Sequence, residues 1–283
     1  MKVLVTGGTG YVGKVVVPEL SKDFDVYVLS RRKEGKNIIK GNLHSYRDVK
    51  QAIKGFDAVV HLAVESRHGA SWKDHFLTTV KGTENVLKAS VEEGVKKVVY
   101  MSSIAVKSKT KSNYAKAKKL AEEVAAKYWK HVEIPVIRAS SIYDERRVAL
   151  FSRIPAFPDI KTKIRFTNIY TLSEVVRTAL KKGKSRIYQI GDREAVKLVD
   201  FVKACREPAK LVIFPEFSLK IIKTLTYGGK ILNSFRIKNE FLPERLEYTV
   251  ENKTFRNDSE VLGVKPKDTI EEVKKMKEKL TSQ

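Results

Sequence analysis

Little in this sequence offers a home to a metal ion or a disulfide. Cys205 is the one cysteine, which excludes an internal disulfide, and the five histidines fall at no metal-ligand spacing with it. We therefore expect a metal-free protein of a reducing, cytoplasmic compartment. No apolar run approaches the ~20 residues that span a bilayer, so no membrane association is expected. The chain opens as a strand almost at once, MKVLVTG, and a signal peptide is not expected. Low-complexity linkers and internal repeats are missing too. Acidic residues are scarce beside basic ones: 33 Asp and Glu against 56 Lys and Arg give a formal charge of +23. Such a charge draws nucleic acid or an acidic membrane surface. The lysines, however, are spread through every segment, with no basic block interleaved with aromatics. They read as the solvated faces of a lysine-rich, thermophile-like protein, with a share left for anionic ligands and no nucleic-acid partner.

What is present suits a globular chain of 283 residues, 42% hydrophobic and 31% charged, long enough to bury a sizeable core. Short apolar runs at 3–6, 25–30, 37–40, 58–62, 97–101, 133–138 and 186–190 are mostly rich in valine and isoleucine. Continuous runs of that kind suit strands buried on both faces of a parallel sheet. Helical patterns at 11–21, 46–54, 74–93, 114–130 and 172–182 lie between them. The alternation predicts an α/β fold, a Rossmann-type doubly wound parallel sheet. After 196–206 the pattern loosens into short helices, a polar loop at 251–258 and a last helix from Thr269. We expect residues 1–142 plus 166–207 to form a dinucleotide-binding domain. Residues 143–165 plus 208–283 would form a small, C-terminal, substrate-binding cap.

The first strand ends in VTGGTGYVGKVVV, with Gly7, Gly10 and Gly13 directly between strand and helix. Gly7 permits the tight turn, Gly10 lets backbone approach a pyrophosphate, and Gly13 lets the helix pack close to the sheet. Tyr11 and Val12 lie between them, where the helix N-terminus supplies N–H donors and a positive dipole end. A dinucleotide site is the expected use. The dinucleotide is selected at the end of the second strand, where an acid would bind the ribose hydroxyls of NAD. Here the chain reads LSRRKEGK, so Ser30, Arg31 and Arg32 stand in its place. Arginine forks pair with phosphate and stack on adenine, which favours NADP over NAD; an exposed basic turn is the alternative.

Within SNYAKAKKLAEE, Tyr114 and Lys118 stand four apart and share a helix face. In so lysine-rich a chain the spacing alone describes an ordinary surface helix equally well. Its company changes the reading. TGGTGYVG, HLA after the fourth strand, YMSSIAV after the fifth and YAKAK at the head of the next helix follow one another in fixed order. Together they resemble the short-chain dehydrogenase/reductase superfamily, and more nearly its extended, NAD-dependent epimerase/dehydratase branch. IPVIRASSIYD, IYQIGDREAVKLVDFVKACRE and NDSEVLGVKPKDTIEEV are similar to later parts of that branch, so the resemblance runs over essentially the whole chain.

The resemblance implies Tyr114 as general acid/base, Lys118 as its partner and Ser103 as the hydrogen-bond partner of the substrate oxygen, with Ser102 the alternative. A phenol near pKa 10 needs a neighbouring cation to serve as a base at neutral pH, and Lys118 one turn on supplies it. Lys118 would also hold the nicotinamide ribose. Asn42, where the family has an aspartate, would accept from the adenine amino group, with Leu43 beside it. Leu62 and Ala63 would line the cofactor's path, or serve the core. Ser140 and Ser141 would lie near the nicotinamide. His61 reads as a satisfied core histidine. The resemblance further implies a homodimer through the helices at 74–93 and 114–130.

The substrate is less legible. After Tyr143 the segment ERRVALFSRIPAFPDIKTKIRFTNIY holds no glycine, whereas sugar-nucleotide members carry a glycine-rich insert ending in arginine. Arg146, Arg147, Lys220, Lys223, Lys230 and Arg236 would serve a diphosphate or simply be solvated. A small-molecule substrate, a sugar nucleotide foremost, is expected; a smaller carbonyl or alcohol, or a non-catalytic NADPH-binding subunit, stands as the alternative.

Overall fold

The computed structural model describes residues 1–283 except 33–34, 68, 109–111, 154–155, 160–162, 207–211, 215–254 and 283. Lys220, Lys223, Lys230 and Arg236 lie outside the described residues. The strands in chain order are β1 (Lys2–Thr6), β2 (Asp25–Ser30), β3 (Ile38–Lys40), β4 (Ala58–His61), β5 (Lys97–Ser103), β6 (Val136–Ala139), β7 (Ser141–Tyr143), β8 (Ala156–Pro158), β9 (Lys163–Asn168), β10 (Ile187–Ile190), β11 (Ala195–Lys197) and β12 (Val212–Phe214). The helices are α1 (Gly13–Leu20), α2 (Tyr46–Ile53), α3 (Trp72–His75), α4 (Gly82–Glu92), α5 (Asn113–Lys127), α6 (Glu145–Ser152), α7 (Ile169–Lys182), α8 (Leu198–Cys205) and α9 (Thr269–Thr281). They fall into two compact units.

The first unit comprises Met1–Ser140, Ile169–Ile190 and Arg256–Lys265. Its seven-stranded sheet runs β10-β6-β5-β4-β1-β2-β3. All its pairs are parallel, with Val3 opposite Ala58 and Val26, and Tyr100 opposite His61 and Val136. The order reverses between β1 and β4, the switch point at which doubly wound sheets bind ligands outside their carboxyl ends. This is the predicted Rossmann-type fold. Val59, Val98 and Tyr100 from the sheet pack with Val86 and Leu87 of α4 and with Ala121 and Ala125 of α5. Ala117, Ala121 and Ala125 are wholly buried, and their small side chains let α5 lie close to the sheet.

The predicted helix over 74–93 is present, running without interruption from Trp72 to Glu92, but it is not uniformly α. Ser71 opens α3 through a capping box with Asp74, a π turn follows over Phe76–Lys81, and α4 begins at Gly82. Thr79 in the π stretch and Thr83 four residues on are both buried. Thr79 Oγ1 accepts from Glu65 N at 3.2 Å, and Thr83 Oγ1 donates to Thr79 O at 2.6 Å. A Cβ on Gly82 would lie 2.6 Å from Leu43 Cδ2, so any larger residue there would have to displace the Leu43 side chain.

The second unit comprises Ser141–Asn168, Gly191–Phe255 and Pro266–Gln283. It therefore takes in β11 and α8, which the sequence pattern assigns to the first domain, while residues 256–265 go to the first unit. The reasons are local pairings. β11 runs antiparallel to β9, and Phe201 of α8 stacks on Phe166 of β9 at 4.1 Å between ring centroids. In the first unit, Asp258 N donates to Gln189 O at 2.8 Å and Asp258 Oδ2 accepts from Gln189 N at 2.9 Å. Around Phe201 lie Tyr143, Phe151, Cys205, Val273 and Met276. The Cys205 thiol is buried, and that burial pushes it up to about 12. Asp192, also buried, accepts from Asn168 N at 3.0 Å and from Thr269 Oγ1 at 2.8 Å, and its carboxyl is held above the usual range by desolvation.

Candidate active site

The glycine loop is built against the chain that follows β4. Gly7 has φ +73°, and a Cβ on it would stand 2.7 Å from Ala63 N. Gly10 N donates to Gly7 O at 3.0 Å, closing the turn. A Cβ on Gly13 would lie 2.3 Å from Gly7 O and 2.5 Å from Gly8 Cα, so the first residue of α1 can only be glycine. Val12 stands at the cap of α1 with no side-chain cap, and the first turn holds no acid. The first turn of α1 thus holds no acid to answer its positive end, beside a loop in which Gly7 and Gly13 have no room for a Cβ against backbone. A pyrophosphate fits that cradle. Tyr11 and Val12 are half-buried at its rim, Leu62 is core and Ala63 abuts Gly7.

At the end of β2, Arg32 N donates to the Ser30 hydroxyl at 3.4 Å, and both Arg31 and Arg32 project into solvent. Asn42 is committed to its turn. Its N–H donates to Asp48 Oδ2 at 2.9 Å, and its Oδ1 accepts from His44 N at 3.1 Å. An amide oxygen has two lone pairs, so one remains for a further donor. Leu43 is buried against Gly82, with its carbonyl accepting from Asn85 Nδ2 at 3.0 Å.

The central groups come from β5 and α5. Ser112 caps α5 by accepting from Ala115 N at 3.2 Å, which places Tyr114 in the first turn and Lys118 one turn later. Lys118 is 2% exposed; its Nζ donates to Met101 O at 2.6 Å and lies 5.1 Å from the Tyr100 ring centroid. Burial pushes its ammonium down to about 7, with the Glu122 charge pulling the other way. The half-buried Tyr114 ring meets His75 edge-on at 6.4 Å. The two serines of β5 separate cleanly. Ser102 is buried and donates to Glu122, whose carboxylate also takes Arg138 Nε at 2.9 and 3.1 Å. Ser103 is half-buried, its hydroxyl accepting from Ala105 N at 3.2 Å.

Around them, His61 is enclosed. Its Nδ1 lies 2.6 Å from Thr6 Oγ1, its Nε2 3.0 Å from Thr83 Oγ1, and its ring stacks on Tyr100 at 5.7 Å. Burial first, then the Lys118 charge, push it down to about 3, a neutral core histidine. Ser140 follows β6, its N–H donating to Ile190 O at 3.1 Å, whereas Ser141 opens β7 in the second unit. Sequence reasoning passes over Glu122 and Arg138, although Glu122 stands four residues beyond Lys118 on the same face. His75 is hidden by the π turn. Among the described residues, no group of three or more His, Cys, Asp or Glu is placed to hold a metal, and no helix is long and apolar enough to cross a membrane.

A profile of the NAD dependent epimerase/dehydratase family matches residues 3–153. The chain belongs to that family. Among its relatives is the N-acetyl-alpha-D-glucosaminyl-diphospho-ditrans,octacis-undecaprenol 4-epimerase of Escherichia coli O157:H7, 31% identical over 51% of this chain and 50% of that protein. Another is the L-arabinose 1-dehydrogenase (NAD(P)(+)) of Haloferax volcanii, 31% identical over 36% of this chain and 41% of that protein. The chain thus aligns with half or less of the length of these curated relatives. Among solved structures, the UDP-N-acetylglucosamine 4-epimerase of Bacillus cereus superposes with a TM-score of 0.67 at 20% identity, over 76% of this chain and 85% of that one, which shows the shared fold.

Proposed function

We propose that this family member is an NAD(P)-dependent enzyme that moves hydride to or from a hydroxyl- or carbonyl-bearing carbon of a sugar nucleotide. One observation carries the reading. The Lys118 ammonium reaches the end of β5, two residues from Ser103, with Tyr114 one turn before it on the same helix. A nicotinamide cofactor supplies the hydride chemistry. The chain supplies the rest: Ser103 donates to the substrate oxygen, Tyr114 exchanges a proton with it, and Lys118 stabilises the phenolate and holds the cofactor ribose. Gly7, Gly10 and Gly13 and the open end of α1 would seat the pyrophosphate. Asn42 would take the adenine amino group with its remaining lone pair.

NADP is the proposed partner, because Arg31 and Arg32 are exposed where NAD specificity would want an acid. NAD binding about tenfold tighter than NADP, ~1.4 kcal/mol, would refute that preference. The second unit is the proposed substrate cap. A cytoplasmic homodimer through the helices at 74–93 and 114–130 completes the picture, and a monomeric mass by light scattering counts against it.

To test the reading, the purified protein is denatured and any released nucleotide is identified and quantified by mass spectrometry. Stoichiometric retained cofactor supports an epimerase or dehydratase, which returns its hydride within each turnover. A second reading, a reductase or dehydrogenase of a smaller sugar-like alcohol, draws on the arabinose dehydrogenase relative and the glycine-free segment after Tyr143. It predicts an empty protein that binds NADPH reversibly and is not inhibited by free uridine or thymidine diphosphate. A protein that binds neither dinucleotide overturns both.

A further inference from the structure

Lys118 is an ammonium almost without water, and its two visible contacts are weak substitutes for hydration. One is the Met101 carbonyl and the other the face of Tyr100. The titratable groups around it come from four elements. His61 of β4 is neutral, and the Tyr100 phenol of β5 is uncharged, pushed up by burial. Arg138 of β6 is a second cation, and α5 itself contributes Tyr114 and Glu122. Glu122 is thus the anion of the set. It is not free to swing into solvent: Arg138 grips it through Nε, and Ser102 donates to it from the strand that carries the Met101 carbonyl. The pair is part-buried between α5 and the interior strand β6, where water screens it little.

We infer that Glu122 is a positioning residue for Tyr114 and Lys118: pinned by Arg138 and Ser102, its carboxylate is the counter-charge that keeps Lys118 an ammonium in its buried place. The roles of Tyr114 and Lys118 rest on the functional reading above; the electrostatic link between Glu122 and Lys118 does not. Removing the anion makes the cation easier to deprotonate, and Tyr114 then loses the charge that stabilises its phenolate.

The test uses the full chain labelled with ¹³Cε-lysine, titrated by NMR with no cofactor or substrate added. The Lys118 resonance is assigned by its disappearance in Lys118→Met. In Glu122→Gln its midpoint falls by about half a pH unit or more, while the other lysines keep theirs. With a substrate in hand, the rising limb of the rate–pH profile moves to higher pH by a similar amount. A Lys118 midpoint that stays put overturns the inference and leaves the functional reading intact. Failure of the wild type to bind NADH and NADPH overturns the functional reading instead. Should the stranded Arg138 charge unfold Glu122→Gln, the double variant Glu122→Gln/Arg138→Met removes that charge as well. Its Lys118 midpoint falls below that of Arg138→Met alone, and equal midpoints in those two variants overturn the inference equally.

Discussion

Four glycines allow the geometry of the glycine loop to be tested by single methyl groups. Gly55 has φ +79° and open space where a methyl would go, so Gly55→Ala measures backbone strain alone, about 1–2 kcal/mol. Gly10 is the converse: its Cβ would meet Gly7 O at 3.2 Å, a contact relieved by a few tenths of an ångström, costing under ~1 kcal/mol. Gly13→Ala drives a methyl to 2.3 Å from a backbone oxygen, which no side-chain rotation relieves, and should cost ~3 kcal/mol or more. Gly7→Ala combines both faults, with φ +73° and backbone atoms at 2.7 Å. Urea midpoints followed by circular dichroism should therefore rank Gly10, Gly55, then Gly13 and Gly7 in rising cost. Binding of NADPH, followed by its fluorescence, should rank them differently. Gly55 precedes β4 at the amino edge of the sheet, so Gly55→Ala keeps its affinity, whereas Gly10→Ala loses affinity with little loss of stability. A Gly13→Ala protein as stable as Gly10→Ala, or a Gly55→Ala protein that loses cofactor, would refute the reasoning.

Other variants address the chemistry. Tyr114→Phe should lower turnover about 10²–10⁴-fold while binding cofactor as before, and wild-type turnover on a true substrate sinks the assignment. Ser102→Ala breaks a hydrogen bond to a charged group and should cost ~1.5–3 kcal/mol in urea, whereas Ser103→Ala loses only the neutral bond from Ala105 N, should cost ~0.5–1.5 kcal/mol, and should slow turnover. Equal stability losses would mean the two hydroxyls are not divided as described. Lys118 predicts a pH dependence. Its folded value, about 7, lies below the unfolded 10.5, so the unfolded chain binds more protons between the two and stability from this group rises with pH. The stability advantage of Lys118→Met over wild type should shrink by ~1.4 kcal/mol per unit between about pH 7 and 10. A difference that is flat across that window contradicts the burial of a titrating ammonium.

Features set by neighbours along the chain are legible in the sequence itself. The apolar runs become β1 to β6 and β10, the glycine loop needs only the strand before it and the helix after it, and four-residue spacing aligns Tyr114 with Lys118. Features set by distant chain are not. The strand expected from residue 133 begins at Val136, because Glu133 and Pro135 offer β5 their carbonyls, to Val98 N and Tyr100 N, before the regular ladder starts. The π stretch inside the 74–93 helix carries contacts with Leu43 and Glu65, which lie elsewhere in the chain. Membership of β11 and α8 in the second unit depends on β9. The choice between Ser102 and Ser103 is undecidable in MSSIAV, since adjacent strand residues face opposite ways and only Glu122, on another element, distinguishes them.

Cys205 turns the second unit into its own reporter. A thiol titrating near 12 has about one part in 10⁴ as thiolate at pH 8, and it is enclosed among Phe201, Val273 and Met276. A thiol-reactive dye can then modify it only when that aromatic core comes apart. As the sequence contains no other cysteine, the labelling rate is a clock for the opening of this unit alone, readable in the native protein without a single substitution.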